Sequence, residues 1–323
     1  SDDYIPEIYL SIRELGDNTP FNLYFTRKDS WTAIKMRQGG SGDGGDLYYK
    51  YPSVSPSAEL VVFSAQGVHV TDRWGRNEIT FDGDGPFDWS GNSKFVYTFN
   101  QGNSVKIYDL NKNLVGSTGG WKHYAVSKDK TLIVLTTQDG GKSRIHLFRV
   151  NQDTGEMTKI SELNDPFSVN DVAPIQGIDI SPNNNELVYI HNAVVHKAMI
   201  KNDSLSYLGR MTNYGNGVRE LKYSNDGNKI AYVHVNFTGL YQSRNEEKEY
   251  RLTTMDFDGR FKKEVYVTSA WNVNRPNNFD IIQSIQWNED DSGVRFLLGQ
   301  IRQSGYNYVN DLVEISAQKE SAR

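Results

Sequence analysis

Tyr223-Ser224-Asn225-Asp226-Gly227-Asn228-Lys229-Ile230-Ala231-Tyr232-Val233-His234 is the stretch from which the fold of this 323-residue chain is read. It opens on an aromatic residue, passes through a tight polar segment and leaves on an apolar run. Ser, Asn and Asp side chains bond to nearby backbone N–H groups, and Gly accepts the positive φ that a short hairpin demands. The run from Ile230 to Val233 is β-branched and aromatic and is bounded by turn chemistry, so it reads as a buried strand.

The same phrase recurs along the chain. Its other instances are Val54-Ser55-Pro56-Ser57, Trp89-Ser90-Gly91-Asn92, Val126-Ser127-Lys128-Asp129, Ile180-Ser181-Pro182-Asn183 and Trp287-Asn288-Glu289-Asp290, which makes six units in all. An apolar run follows each turn: Leu60 to Phe63, Phe95 to Phe99, Leu132 to Leu135, Leu187 to Ile190 and Val294 to Leu298. A third strand comes next, for example Val105 to Tyr108 or Ile145 to Phe148, and then a more polar fourth, such as Glu156 to Ile160 or Lys263 to Val267.

Four antiparallel strands repeated radially make the blade of a β-propeller, so the expected fold is an all-β propeller of six four-stranded blades in a single domain, residues 1–323. The last unit runs out after three strands, and Trp31 to Arg37 is the expected fourth, closing the ring so that no sheet edge stays free. Ile8 to Ile12 and Asn22 to Thr26 also read as strands and are then unassigned, which leaves seven blades as the alternative. The longest insertion, Asn236 to Glu249, is expected to project from the disc.

The unit resembles the repeat of TolB-type propellers, in which an apolar residue precedes Ser-Pro-Asp-Gly and a short apolar strand follows. Tyr223 to Tyr232 and Ile180 to Asn185 carry the likeness best, which extends from about residue 48 onward. No copy has the full Ser-Pro-Asp-Gly, and the last places Asn288 where the others have Ser. The resemblance implies a bacterial, extracytoplasmic protein and is silent on ligand, because the motif marks turns.

Composition excludes several classes. A net charge of −5 and a pI near 5.7 oppose nucleic-acid binding, which needs a basic face. The longest cationic cluster, Arg260 to Lys263, includes Phe261 and reads as the mouth of a hairpin. With no Cys there is no disulfide, thiol chemistry or thiolate-held zinc. No run approaches the ~20 apolar residues of a membrane span. The start Ser1-Asp2-Asp3-Tyr4, without Met, is expected to follow a removed secretory signal, a lipid-anchored leader or a tag. A periplasmic, cell-surface or secreted location is the expectation.

Chemistry-bearing residues are few. Leu187 to His191 matches Ile230 to His234 position for position, so His191 and His234 are equivalent, with Ser64, Phe99, Thr136 and Leu298 read at that place in the other units. Two imidazoles on such strands could converge on a metal or a substrate anion; alternatively each caps its strand by bonding a backbone carbonyl. No third ligand of comparable placement accompanies them. Asp43 and Asp46, in Gly39 to Asp46, and Asp82 and Asp84, in Phe81 to Trp89, alternate with glycines in a way that suits structural calcium, although ordinary turns share that composition. No phosphate loop, dinucleotide fingerprint, nucleophile elbow or His-Glu-x-x-His motif occurs.

Aromatic residues in inter-strand segments, Trp121, Tyr214 and Trp271 foremost, suit a protein partner or a sugar face, or else wedge between blades. The expected function is a non-catalytic binding propeller for a protein or polysaccharide partner. A metal-dependent polysaccharide lyase or hydrolase, and a sensor or scaffold domain of a longer protein, are the alternatives.

Overall fold

The chain, seen in a computed structural model, is described over residues 8–13, 21–26, 34–37, 50–65, 67–83, 85–100, 104–139, 142–164, 175–212, 217–238, 247–268, 271–272, 278–302 and 309–316. Every regular element among them is a β-strand, and no helix is long and apolar enough to cross a membrane.

Seven antiparallel sheets form among the described residues, each in chain order. The first joins β1 (Ile8–Arg13), β2 (Phe21–Thr26) and β3 (Ile34–Arg37). The second holds β4 (Lys50–Val54), β5 (Leu60–Ser64), β6 (Val68–Asp72) and β7 (Ile79–Phe81). The third holds β8 (Phe87–Trp89), β9 (Phe95–Asn100), β10 (Ser104–Asp109) and β11 (Leu114–Gly119). The fourth holds β12 (His123–Val126), β13 (Leu132–Asp139), β14 (Lys142–Val150) and β15 (Met157–Asn164). The fifth holds β16 (Ile175–Ile180), β17 (Glu186–His191), β18 (Val194–Lys201) and β19 (Ser204–Arg210). The sixth holds β20 (Gly217–Tyr223), β21 (Lys229–Thr238), β22 (Glu247–Asp256) and β23 (Lys263–Val267), with β24 (Trp271–Asn272) paired to β22. The last holds β25 (Asn278–Trp287), β26 (Gly293–Arg302) and β27 (Val309–Ser316).

The chain divides into two compact units: residues 1–121, 129–132 and 148–159, and residues 122–128, 133–147 and 160–323. In the first, β1 lies beside β4 and β4 beside β8; in the second, β12 lies beside β16, β16 beside β20 and β20 beside β25. Within each unit, the first strand of a sheet therefore neighbours the first strand of the next.

The repeat is a single hydrogen-bonded device used six times. The residue before each turn pairs with the one six beyond the turn Ser or Asn: Val54↔Val61, Trp89↔Val96, Val126↔Ile133, Ile180↔Leu187, Tyr223↔Ile230 and Trp287↔Val294. The Ser hydroxyl accepts the N–H five residues on, as in Lys229 N to Ser224 Oγ at 2.9 Å. Asn288 does the same work with its amide oxygen, which accepts the Gly293 N–H at 2.9 Å. Three residues after the Ser or Asn the backbone enters the left-handed region at Ala58, Ser93, Lys130, Asn184, Gly227 and Asp291, the pattern of a type I turn followed by a left-handed residue.

Only Gly227 suits that conformation without a Cβ penalty. Ala58→Gly is therefore expected to stabilise the protein by about 0.5–1 kcal/mol, the relief of strain exceeding the extra entropy of Gly. Gly227→Ala is expected to destabilise it by about 1 kcal/mol, its new Cβ meeting Pro182 Cδ at 3.2 Å. Urea midpoints of the two variants check both signs.

The middle strands are buried on both faces, which explains their unbroken apolar runs. On β21, Ile230 and Tyr232 join a cluster with Val188, Ile190, Val195 and Met255, while Ala231 and Val233 join another with Ile282, Ile285, Val294 and Phe296. Successive side chains point to opposite faces, so one strand feeds two cores.

Two expectations need correction. Ile34–Arg37, expected to complete the last sheet, pairs instead with β2 through Leu23↔Arg37, Tyr24↔Lys35 and Phe25↔Ile34, and β1 pairs with β2 in turn. Neighbours along the chain close short loops at lower entropic cost than the two ends of the chain do. The expected equivalence of the units also shifts by one residue in three copies. The shared register makes Ala65, Asn100 and Thr137, not Ser64, Phe99 and Thr136, the counterparts of His191 and His234; Leu298 stands. The insertion from Asn236 continues β21 and β22 as one hairpin to Thr238↔Glu247.

Candidate functional site

In each four-stranded meander, the turn after the first strand and the turn after the third lie at one end, and the remaining connections lie at the other. Among the described residues singled out from sequence, three belong to the second end of their own sheets. His191 closes β17, Trp121 lies between β11 and β12, and Asp82 lies between β7 and β8. Trp121 is buried and meets Phe99 edge-on at 6.2 Å, which is a packing role. Asp82 is exposed. Trp271 begins β24, its backbone paired with Lys248. Tyr214, Asp43, Asp46 and Asp84 lie outside the described residues. Among the described residues, no group of three or more His, Asp or Glu is arranged to hold a metal ion.

Both nominated histidines are buried within their own sheets. The His191 ring lies 6.1 Å from that of His196, which stacks on Tyr189 at 5.2 Å and meets the Tyr207 hydroxyl at 3.2 Å through Nδ1. His234 places Nε2 at 3.1 Å from Thr253 Oγ1, its ring is 5.5 Å from Tyr232, and its Nδ1 is buried without a hydrogen-bond partner.

The register also reveals a column that sequence reading missed. The third-strand residue opposite Tyr189 is His196, and opposite Phe63 it is His69. His69 stacks on Phe63 at 5.4 Å, bonds the Ala65 carbonyl at 2.8 Å through Nε2 and bonds Glu78 through Nδ1. His146 likewise meets Thr137 Oγ1 at 2.8 Å and lies 3.4 Å from the Glu162 carboxylate. These rings tie second, third and fourth strands together.

Burial pushes the His234 pKa down; Glu264 opposes the shift and Arg251 adds to it. Above pH 6.5 the imidazole is neutral in both folded and unfolded chains, and its contribution is fully present. As pH falls below 6.5 the unfolded chain takes up a proton that the buried ring resists, so stability drops. His234→Gln is expected to flatten that drop in urea midpoints measured on either side of pH 6.5.

The opposite end of the sixth sheet presents a different surface. Between β22 and β23 the turn is closed by Asp256 N to Arg260 O at 2.9 Å and Gly259 N to Asp256 O at 2.8 Å. Phe257 is 45% exposed and Phe261 is 68% exposed, and Phe261 adopts φ 48°, a left-handed conformation rare for a bulky side chain. Lys197, ion-paired with Glu186 at 2.7 Å, donates to the Phe257 carbonyl at 2.9 Å and sits 4.8 Å above its ring. Lys262 donates to the Met211 carbonyl at 3.1 Å.

A hollow of about 240 Å³ opens here among Lys229, Met255, Asp256, Phe261, Lys262 and Lys263. A second, of about 230 Å³, adjoins it at Lys229 and Asp256 and is walled by Phe257 and Asp258. The sequence signalled this place only as a cationic hairpin mouth.

No family model matches the chain, and no curated protein matches it. Solved structures do. The Dos1 propeller superposes with a TM-score of 0.55 at 12% identity, over 84% of this chain and 73% of its own. The chain is a β-propeller. A functionally unknown protein from Desulfotomaculum acetoxidans matches the propeller with a TM-score of 0.56 at 13% identity, over 92% of each chain. A protein from Lactobacillus plantarum matches at 0.54 and 14% identity, over 80% of each. Likeness at this identity carries architecture and no activity, so the propeller's function has to be argued from its own surface.

Proposed function

We propose that this propeller is a non-catalytic binding module that engages a protein partner through the hairpin between β22 and β23. One observation carries the reading: Phe261 is held exposed in a strained backbone conformation, between cationic neighbours and beside a hollow. Exposed aromatic anchors ringed by charge are what protein interfaces use as hot spots, and strain of this kind persists where the surrounding structure enforces it. The TolB-type likeness of the turns supports work outside the cytoplasm in a bacterial cell.

A photoreactive phenylalanine analogue at position 261, introduced in source cells, is expected to give discrete cross-linked species that weaken when Lys262→Glu and Lys263→Glu are added. The competing reading, a metal-dependent lyase or hydrolase, predicts cleavage of polygalacturonate that vanishes in the His191→Ala/His234→Ala pair. Such cleavage by the wild-type protein would overturn the binding reading.

A further inference from the structure

We infer that the surface beside Phe261 takes an acidic peptide segment carrying an apolar anchor residue, an assignment that rests on the binding reading above. Size is the first argument. A hollow of about 240 Å³ falls below the ~300–1,000 Å³ typical of small-molecule pockets. It fits one inserted side chain rather than a drug-sized ligand.

Lining chemistry is the second argument. Met255 and Phe261 offer an apolar floor and wall. Lys229, Lys262 and Lys263 rim the same hollow against one carboxylate, Asp256. The rim is thus cationic on a chain whose net charge is −5, so an anionic segment is attracted here against the field of the rest of the molecule.

Continuity is the third argument. The second hollow shares Lys229 and Asp256 with the first and brings Phe257 into line. The second hollow sets Asp256 and Asp258 against one lysine, so an extended chain crossing both turns its carboxylates to Lys262 and Lys263 of the first, an uncharged residue to the second, and an apolar side chain to Phe261.

The test uses the full chain and a fluorescent random copolymer of glutamate and tyrosine, with polyglutamate, polygalacturonate and polyuridylate as comparison polymers. The copolymer is expected to bind with an affinity that falls as salt rises. Polyglutamate, lacking the anchor, is expected to bind about tenfold more weakly, and Phe261→Ala to weaken the copolymer by a similar factor. Lys262→Glu with Lys263→Glu is expected to weaken it further and flatten the salt dependence. Thermal unfolding of each variant confirms that the fold is intact, and Phe261→Asn, which tolerates a left-handed backbone, serves as a second anchor deletion.

Absence of copolymer binding, equal binding of polyglutamate, indifference to the variants, or tighter binding of polygalacturonate or polyuridylate would each overturn the assignment. Cross-linking at position 261 to a partner without an acidic segment would overturn this inference alone and leave the binding module standing.

Discussion

Trp89→Ala is expected to lower the unfolding free energy by about 3–5 kcal/mol, the range for emptying a large aromatic site in a core. Trp89 is wholly buried on β8, in a cluster with Val62, Val70, Phe87, Val96 and Tyr108. Its indole N–H also reaches the Ser53 carbonyl of the preceding sheet at 3.2 Å, so the residue both fills the gap between two sheets and ties them together. Trp89→Phe retains most of the apolar volume but removes that bond, and about 0.5–1.5 kcal/mol is expected.

Trp287 is an internal control. It stands at the same place in the last unit and makes the same bond, Nε1 to the Lys222 carbonyl at 3.2 Å, but is only half-buried. Trp287→Ala is therefore expected to cost clearly less than Trp89→Ala. A shift in the urea midpoint with an unchanged slope identifies these effects as stability changes; equal losses at the two sites would show that the hydrogen bond, not the burial, dominates.

Asp291→Ala is the second large effect, at about 2–4 kcal/mol. The carboxylate accepts the Asn225 N–H and the Asn225 side-chain amide through Oδ1, each at 2.8 Å, and the Asp226 N–H through Oδ2 at 2.8 Å. One buried side chain thus satisfies the turn of the neighbouring sheet. Ser93 does the same on a smaller scale, accepting the Ser57 N–H at 3.0 Å from the equivalent position.

Since Asp291 also has a left-handed backbone, φ 56°, two variants separate the contributions. Asp291→Gly loses the clasp but relieves about 1 kcal/mol of strain, and should fall short of the Ala loss by that amount. Asp291→Asn keeps one acceptor oxygen and should be mildest. The order Ala, Gly, Asn in decreasing damage, read from urea midpoints, is the check; a neutral Asp291→Ala would mean that water replaces the clasp.

The six turns were legible because their chemistry is local. A Ser or Asn, a small polar residue and a left-handed residue lie within a few positions of one another, and each turn follows from its own side chains. Registers beyond the turn were less legible. Ala65, Asn100 and Thr137 were missed as counterparts of His191 because apolar runs of this kind align equally well one residue out. Pairing in the sheet removes that freedom, since a one-residue slip sends every side chain to the other face.

The histidine column could not be read at all. His69 follows Phe63 closely, and His196 follows Tyr189 closely, but Thr253 is set opposite Tyr232 across a much longer hairpin. Loop length varies freely between strands that stay paired, so equivalence in space is scrambled in sequence. The N-terminal strands Ile8–Arg13 and Phe21–Thr26 were legible, but their pairing with Ile34–Arg37 was not, because they carry no turn motif of the repeat.

From the amino-acid sequence alone came the all-β class, the six turn devices and the strands that follow them, because these depend on residues within a hairpin of each other. Tertiary structure alone decided that His191 and His234 are enclosed while Phe257 and Phe261 stand in the open. Exposure is a property of what the neighbouring sheets bring, and no local run of residues encodes it.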